Sequence, residues 1–258
     1  MLIAQISDLH IMLPGQLAYG SFDTAGNLAR CVAQIMQAHP VPNVVLVTGD
    51  LVETGAPDEY RRLRDLLAPL TMPLYMIPGN HDDRAALCAG FLDHAYLPRA
   101  GEPVRYAIED FDVRLIALDT VIPGADGGTL DAAQLDWLDA TLSAAPGRPT
   151  LVLMHHPPIK TGIRCMDEIA LDAASSFRLG AIIERHRQVE RIVCGHVHRG
   201  ILARWHGTAV SVCPSTAYQY MLELRDIRLS CSTGEPPAYQ THYWSGAELV
   251  THTIAVTG

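Results

Sequence analysis

Side chains able to bind metal ions are grouped in five short blocks between residues 8 and 198. Each block directly follows a predicted strand. The blocks contain Asp8 and His10, Asp50, Asn80 with His81 and Asp82, His155 with His156, and His196 with His198. Because the carboxyl ends of strands in an open α/β sheet line its ligand crevice, we expect the five loops to converge. Carboxylates and imidazoles gathered in this way can hold two metal ions about 3.5–4 Å apart, with a carboxylate bridging them.

The spacing within the blocks supports this interpretation. Asp-x-His and His-x-His place two side chains on one face of an extended segment, since side chains alternate along a strand. Gly49, Gly79 and Gly195 each stand directly before a predicted ligand. We expect the backbone at these glycines to approach a neighbouring segment closely or to adopt a positive φ, which glycine permits.

The elements that position the blocks are short apolar strands alternating with helices, which indicates an α/β domain with parallel strand pairs. Strands are predicted over 2–6, 44–47, 74–77, 104–108, 113–118, 151–154 and 191–194, and helices over 22–38, 58–67, 131–142 and 173–187. After Gly200 the pattern becomes strand-rich, and antiparallel strands are predicted over 201–205, 208–212, 238–244 and 248–256. We expect a single domain over 1–258, with a loop or hairpin cap within 213–238.

The composition excludes several classes of protein. Hydrophobic residues make up 48% of the 258 residues and charged residues 18%, which is typical of a folded chain rather than a disordered one. No apolar run approaches the roughly 18–20 residues of a membrane span, so we expect no membrane-embedded segment. The formal net charge of −9 argues against a partner as polyanionic as a long nucleic acid.

The first residues and the cysteines indicate the compartment. Residues 1–10 are apolar at the start but lack the basic segment of an export signal. The six cysteines are widely scattered and form no C-x-x-C pair, a pattern unlike that of a disulfide framework. We therefore expect a reduced, cytoplasmic protein.

In their order, the five blocks resemble the motifs D-x-H, G-D, G-N-H-[DE], H and G-H-x-H of the calcineurin-like metallophosphoesterase superfamily. The resemblance covers residues 2–212. Within the superfamily the chain is most similar to bacterial class III cyclic nucleotide phosphodiesterases and to glycerophosphodiesterases, on segments 2–10, 18–20, 75–83 and 154–158. The implied fold is an α/β, four-layer αββα sandwich of two mixed sheets with helices outside. The late antiparallel strands would belong to the second sheet.

The resemblance also implies how the blocks divide between two metal ions. One ion would bind Asp8, His10, Asp50 and His198. The other would bind Asp50, Asn80, His155 and His196, so that Asp50 bridges the pair. Asn80 is a neutral ligand, so the second ion would be held more weakly than the first. Mixed nitrogen and oxygen donors favour divalent or mixed-valence iron, manganese, cobalt, nickel or zinc over magnesium and calcium.

The implied reaction is the metal-assisted hydrolysis of a small phosphodiester, with catalytic roles for Asp50, Asn80 and His81. The metal ions would activate water and polarise the phosphoryl oxygens. His81 would protonate the leaving oxygen or bind a phosphate oxygen, and Asp82 would orient His81. Substrate contacts are expected from Asn80, His81, Tyr19 and His156.

The identity of the substrate leaves alternatives open. 3′,5′-Cyclic nucleotides are the first prediction, and a glycerophosphodiesterase or a phosphodiesterase of broad specificity is the alternative. The arginine of the protein phosphatase block G-D-x-x-D-R-G is absent, since the chain reads Glu53-Thr54-Gly55 there, which favours diesters over dianionic monoesters. Substrate choice would depend on loops 13–22, 125–129 and 215–226, where Tyr218 and Tyr220 could stack on a base or simply pack.

Two further expectations concern the protein as a whole. A non-catalytic scaffold with the same fold is a distant alternative, which the intact ligand set and His81 disfavour. Related proteins often form dimers through strand-rich or cap regions, so we also expect a homo-oligomer.

Overall fold

The computed structural model of the chain describes residues 1–98, 101–225, 227 and 232–257. Its strands are β1 (Leu2–Ile6), β2 (Val44–Thr48), β3 (Leu74–Ile77), β4 (Tyr106–Ile108), β5 (Arg114–Ala117), β6 (Thr150–Leu153), β7 (Val189–Cys194), β8 (Ile201–Trp205), β9 (Thr208–Val212), β10 (Gln219–Tyr220), β11 (Ser232–Thr233), β12 (Ala238–Trp244) and β13 (Leu249–Ala255). Its helices are α1 (Thr24–Met36), α2 (Pro57–Leu67), α3 (Arg84–Gly90), α4 (Ala132–Ser143), α5 (Arg164–Asp167) and α6 (Ala173–Arg185). Each predicted strand and helix is present, with its ends within two residues of the predicted ones.

Two large mixed sheets form the centre of the fold. The first has the strand order β13-β12-β1-β2-β3, in which β1, β2 and β3 are parallel and β12 and β13 are antiparallel. The second has the order β4-β5-β6-β7-β9-β8, in which four parallel strands lie between antiparallel edges. Within each parallel run the strands point the same way, so the loops that follow them lie at one edge of the sheet.

The alternation of side chains along the second sheet produces the layers. In β6, Leu151 and Leu153 belong to a core shared with the first sheet and with α1 and α2. Val152, between them, belongs to a separate core with α4 and α6. Because neighbouring side chains of a strand point to opposite faces, one face of this sheet packs on the first sheet and the other on helices. The four-layer sandwich of two mixed sheets is therefore confirmed.

Aspartates cap the beginnings of α1, α3, α4 and α6. Asp23, Asp83, Asp131 and Asp172 each accept a hydrogen bond from the backbone N–H three residues further on, at 2.7–2.9 Å. Such a side chain satisfies one of the N–H groups that a helix leaves unpaired at its first turn.

The last two strands correct one expectation. β12 and β13 do not join the second sheet, because β12 pairs with β1, with Leu2 opposite Tyr243, and β13 extends the same sheet. β8 and β9 do join the second sheet. A period-two pattern identifies a strand but contains no information about its partner, and β1 has one side open once β2 occupies the other.

Some features lie beyond the sequence pattern. Helices α3 and α5 have seven and four residues, too few for a helical period to be recognised. Within the region 213–238, β10 and β11 form an antiparallel pair. Asp226, the end of a predicted substrate loop, and Cys231 lie outside the described residues.

Among the described residues, no helix combines the length and the apolar character needed to cross a bilayer.

Candidate metal centre

The loops that follow five parallel strands, from both sheets, meet at one edge of the sandwich. The backbone N–H of Asp8 donates to the carbonyl of Gly49 at 3.0 Å, which joins the loops after β1 and β2. The N–H of His196 donates to Oδ1 of Asp8 at 2.8 Å, which joins the second sheet to the first. His155 faces the carbonyl of Thr48 across the same gap. The seven predicted ligands are brought together by these contacts.

One group of ligand atoms lies around His10. Asp8, His10, Asp50 and His198 are all buried and offer one ligand atom each, and these atoms lie within 4.8 Å of one another. Nε2 of His10 lies 3.0 Å from Nε2 of His198 and 3.7 Å from Oδ2 of Asp50. Nε2 of His198 lies 3.6 Å from Oδ1 of Asp8. This is the set that the resemblance implies for the first ion.

A second group lies on the other side of Asp50. Oδ1 of Asn80 is 3.2 Å from Nε2 of His155 and 3.1 Å from Nδ1 of His196. Oδ1 of Asp50 is 3.4 Å from the same nitrogen of His155. The two oxygens of Asp50 thus face different groups, Oδ2 towards His10 and Oδ1 towards His155. A carboxylate in this position is suited to bridge two ions.

Hydrogen bonds on the far ring nitrogens orient three of the histidines. Nδ1 of His10 lies 2.8 Å from Oε2 of Glu53. Nδ1 of His155 lies 2.8 Å from the carbonyl oxygen of Thr48, and Nδ1 of His198 lies 2.9 Å from that of Tyr218. An Nδ1–H that donates outwards leaves the inward Nε2 as the lone-pair donor, which is the usual arrangement of a metal-binding histidine.

The donor set fits metal ions better than it fits hydrogen bonds among its own members. With both Nδ1 atoms facing oxygens, the Nε2 atoms of His10 and His198 are directed towards each other at 3.0 Å as the inward ligand atoms of the two rings. Within the described chain, Oδ2 of Asp8 and Nε2 of His196 are buried without a hydrogen-bond partner. Such an unpaired polar atom is unfavourable by about 1–3 kcal/mol, and a cation bound at Oδ2 of Asp8 would relieve the penalty at that atom.

The electrostatics of the cluster favour cation binding. Burial raises the pKa of Asp50, but the nearby His155 and His10 hold it well below its usual range. Burial, together with neighbouring imidazoles, holds the pKa values of His196 and His198 well below the usual range. Burial lowers the pKa of His155, but the carboxylate of Asp50 outweighs burial and raises it to about 9. A metal ion would therefore meet an ionised Asp50 and two neutral imidazoles and would displace a proton from His155.

The backbone of several predicted ligands is left-handed. Asp8, His10, Asp50, His196 and His198 have φ values of 52°, 46°, 48°, 74° and 51°. This region is disfavoured for residues with a Cβ atom by about 1–2 kcal/mol each, although Asp and His tolerate it better than most. The strain is concentrated at the site, as it commonly is where function requires an unusual geometry.

The expected close approach at the glycines is confirmed. A Cβ atom on Gly79 would lie 2.2 Å from Oδ1 of Asp50, and one on Gly195 would lie 2.0 Å from Oγ of Ser7. Both glycines therefore let the backbone of one loop touch a side chain of another. Gly49 adds a positive φ of 93°.

His81 lies at the more accessible side of the centre. His81 and the predicted ligand Asn80 are partly exposed, whereas the other six predicted ligands are buried. Nδ1 of His81 lies 2.8 Å from the backbone carbonyl oxygen of Glu53, and its backbone N–H donates to Oδ1 of Asp50 at 3.0 Å. The ring thus has a fixed orientation with Nε2 as its second functional atom.

Asp82 does not orient His81, and that expectation is wrong. Its carboxylate accepts hydrogen bonds from the N–H groups of Leu51 and Gly79, at 3.0 and 2.8 Å, and from the hydroxyl of Tyr60 at 2.9 Å. These donors come from the loops after β2 and β3 and from α2. Asp82 therefore joins the two loops that present Asp50 and Asn80, while a backbone carbonyl orients His81.

His156 does not have the geometry of a substrate contact. It is fully buried, Nδ1 lies 2.7 Å from the hydroxyl of Thr120, and Nε2 lies 3.0 Å from the carbonyl of Asp126. Burial and the adjacent His155 lower its pKa to about 3. Its neutral ring has no free nitrogen for a substrate in this arrangement and instead anchors the loop that contains Asp126.

Tyrosines form a surface beside the first ligand group. The ring of Tyr218 lies 4.7 Å from that of His198, and the ring of Tyr220 lies at the same distance. Tyr19 is 68% exposed, and its hydroxyl lies 3.2 Å from that of Tyr220. Sequence reasoning named Glu53 only in the block that lacks the phosphatase arginine and assigned it no role at the site. The tyrosines were visible as aromatic residues in candidate loops, but nothing in the sequence placed them next to His198.

Comparisons with known proteins identify relatives of this chain. The calcineurin-like phosphoesterase profile matches residues 1–200. A probable glycerophosphodiester phosphodiesterase, GpdQ, of Arcobacter nitrofigilis is 35% identical over 98% of this chain and 92% of that protein. The 3′,5′-cyclic adenosine monophosphate phosphodiesterase CpdA of Vibrio vulnificus is 31% identical over 88% of this chain and 80% of that protein.

A solved structure supports the fold independently. A dimetal phosphatase from Danio rerio superposes with a TM-score of 0.69 over 100% of this chain and 99% of that chain, at only 16% identity. Together, the extent of the profile match and the identity to two nearly full-length relatives show that the chain belongs to the calcineurin-like phosphoesterase family.

Proposed function

We propose that the protein is a metal-dependent phosphodiesterase that hydrolyses small phosphodiesters, with 3′,5′-cyclic nucleotides as the favoured substrates. The observation that carries the proposal is the position of Asp50, whose two oxygens face two separate groups of ligand atoms. Relatives named as cyclic nucleotide and glycerophosphodiester phosphodiesterases support the reaction class.

The ligand groups assign the residues that would hold two ions. The first ion would be held by Asp8, His10, Asp50 and His198, and the second by Asp50, Asn80, His155 and His196. When bound, the ions would polarise phosphoryl oxygens and activate water at neutral pH. The mixed nitrogen and oxygen donors are typical of iron, manganese, cobalt, nickel or zinc.

His81 is proposed as the group that protonates the leaving oxygen. Its Nδ1–H donates to the carbonyl of Glu53, so Nε2 is the atom that holds or transfers a proton. Asn80 directs its carbonyl oxygen towards His155 and His196, which leaves its amide N–H groups as donors for a phosphate oxygen. Both side chains are partly exposed, as contact with a substrate requires.

The tyrosines favour a nucleotide. Tyr19 and Tyr220 present aromatic surface beside the first ligand group, and stacking of a base on such a surface contributes about 1–3 kcal/mol. A glycerophosphodiester is the second candidate, which the 35% identity to GpdQ supports. Hydrolysis of a phosphomonoester is less favoured, because the chain has Glu53-Thr54-Gly55 where protein phosphatases have an arginine.

The metal-dependent reaction is tested with bis(p-nitrophenyl) phosphate. We expect chelation to abolish hydrolysis and a first-row dication to restore it. Failure of every first-row dication to restore hydrolysis would eliminate the proposal. A panel of cyclic AMP, cyclic GMP, 2′,3′-cyclic nucleotides and glycerophosphocholine then ranks the substrates, and equal rates on all of them would show that the preference for cyclic nucleotides is wrong.

Three predictions of the sequence remain to be tested. A cytoplasmic location is consistent with Cys31, Cys88, Cys194 and Cys213, which are buried thiols without a disulfide. The single domain predicted over 1–258 is checked by a single cooperative unfolding transition. The homo-oligomer is checked by sedimentation velocity.

A further inference from the structure

Glu53 contacts two functional histidines through two different groups. Its carboxylate oxygen Oε2 lies 2.8 Å from Nδ1 of His10. Its backbone carbonyl oxygen lies 2.8 Å from Nδ1 of His81. His10 belongs to the first ligand group, whereas His81 is the proposed proton donor, and their rings meet edge to face at 4.7 Å. One residue therefore borders both the metal centre and the leaving-group side.

The carboxylate distinguishes His10 from the other oriented histidines. His155 and His198 each face a neutral backbone carbonyl through Nδ1, from Thr48 and Tyr218. His10 faces a carboxylate, and the side chain of Glu53 is only 27% exposed. A carboxylate behind an imidazole makes the ring a more basic ligand and holds its orientation more firmly than a carbonyl does.

The first ligand group also carries more negative charge than the second. The first group contains the carboxylates of Asp8 and Asp50, and Glu53 adds a third directly behind His10. The second group shares Asp50 but otherwise consists of two imidazoles and the neutral amide of Asn80. The first group should therefore bind a cation more tightly, and part of the difference should come from Glu53.

We propose that Glu53 is a positioning residue with two separable actions, an inference that rests on the proposed function. Its side chain strengthens cation binding by the group that contains His10. Its backbone carbonyl orients His81 and is unaffected by a change of side chain. A substitution at Glu53 should therefore weaken metal binding, whereas a substitution at His81 should impair turnover directly.

The test measures Mn²⁺ binding to metal-free protein by isothermal titration calorimetry, in the wild type and in Glu53→Gln. The wild type should show a tighter and a weaker binding event. Glu53→Gln should weaken the tighter event about 10–100-fold and leave the weaker one in place. Excess Mn²⁺ should restore hydrolysis to Glu53→Gln but not to His81→Ala.

Two companion variants separate positioning from other effects. Glu53→Asp keeps the charge but withdraws it by one methylene, so it should also weaken the tighter event. Glu59→Gln is the matched control, because Glu59 is a buried carboxylate of the same segment that accepts from the N–H groups of Thr54 and Ala56 instead of a histidine. It should bind Mn²⁺ like the wild type.

The outcomes discriminate between the inference and the function on which it rests. If the wild type binds two ions and Glu53→Gln binds them with the same affinities, the inference is overturned while the phosphodiesterase proposal stands. An equal weakening in Glu59→Gln would also overturn it, since general loosening of the loop would then be the cause. If the wild type binds no Mn²⁺ and no other first-row dication, the proposed function itself fails.

Discussion

At the scale of single residues, proton transfer is assigned to His81 and metal binding to the seven predicted ligands. The backbone N–H of His81 donates to Asp50, and its ring is held by the carbonyl of Glu53, so contacts with neighbouring loops position it. Its imidazole is not among the seven predicted ligands. Removing this ring should therefore affect the chemistry of proton transfer more than the affinity for metal.

We expect His81→Ala to lower kcat about 10²–10⁴-fold, the range that a positioned acid or base contributes. Metal content, measured by inductively coupled plasma mass spectrometry, should match that of the wild type. His252→Ala is the control, because His252 is exposed on β13 and should be neutral in both measurements. Loss of metal from His81→Ala would mean that the ring is a ligand and that its assigned role is wrong.

The sequence predicts the role of a side chain well where a motif contains that residue, and poorly elsewhere. The seven predicted ligands come together because each follows a parallel strand, and that placement can be read from apolar runs and spacing. The roles of Asp82, Glu53 and Tyr218 depend on which loop lies next to which. Such contacts are set by packing between segments 20 to 43 residues apart, which local patterns do not encode.

At the scale of elements, crowded glycines control how closely the metal-binding loops approach. A Cβ atom on Gly195 would overlap Oγ of Ser7 and would lie 2.8 Å from Oδ2 of Asp8 and from the carbonyl of Thr48. Gly147 is exposed, and a Cβ atom there would meet nothing within 4 Å. The same substitution at these two glycines therefore isolates the effect of crowding.

We expect Gly195→Ala to lower the free energy of unfolding by about 1–3 kcal/mol, the usual cost of overpacking. It should also weaken metal binding, because the added methyl group displaces Asp8. Gly147→Ala should stay within about 0.5 kcal/mol of the wild type. Urea unfolding and metal titration provide the two measurements. Equal stability of the two variants would show that the loops can separate without cost.

Strand and helix positions follow closely from the sequence, but strand pairing does not. The predicted bounds of each element agree because apolar runs of strand length and helical spacing are local properties. The pairing of β12 with β1 joins segments more than 230 residues apart. Nothing in the alternation of either strand distinguishes this partner from an edge of the second sheet.

At the scale of the whole molecule, the two sheets contribute to one centre. Asp8, His10, Asp50 and Asn80 follow strands of the first sheet, and His155, His196 and His198 follow strands of the second. A second link lies nearby, where Arg84 donates two hydrogen bonds to Asp119, at 2.7 and 2.9 Å, and joins α3 to the end of β5. Bound ions would therefore act as crosslinks between the sheets.

We expect added Mn²⁺ to raise the thermal midpoint of the metal-free protein. A single ion at about 100 times its dissociation constant stabilises the folded state by about 2.7 kcal/mol. For a chain of this length that corresponds to roughly 5–10 °C, measured by circular dichroism. The control is Asp50→Asn, in which the shift should be smaller, because Asp50 belongs to both ligand groups. A shift of equal size in that variant would place the stabilising ion elsewhere.

The left-handed backbone of five predicted ligands has a consequence for protein engineering. Glycine adopts that conformation freely, so exchanging these residues for glycine removes strain as well as chemistry. A laboratory screen that selects for thermal stability alone would then favour loss of the ligand residues and yield stable variants without activity. Directed evolution of this chain must score turnover alongside durability, since the two demands oppose each other at the same positions.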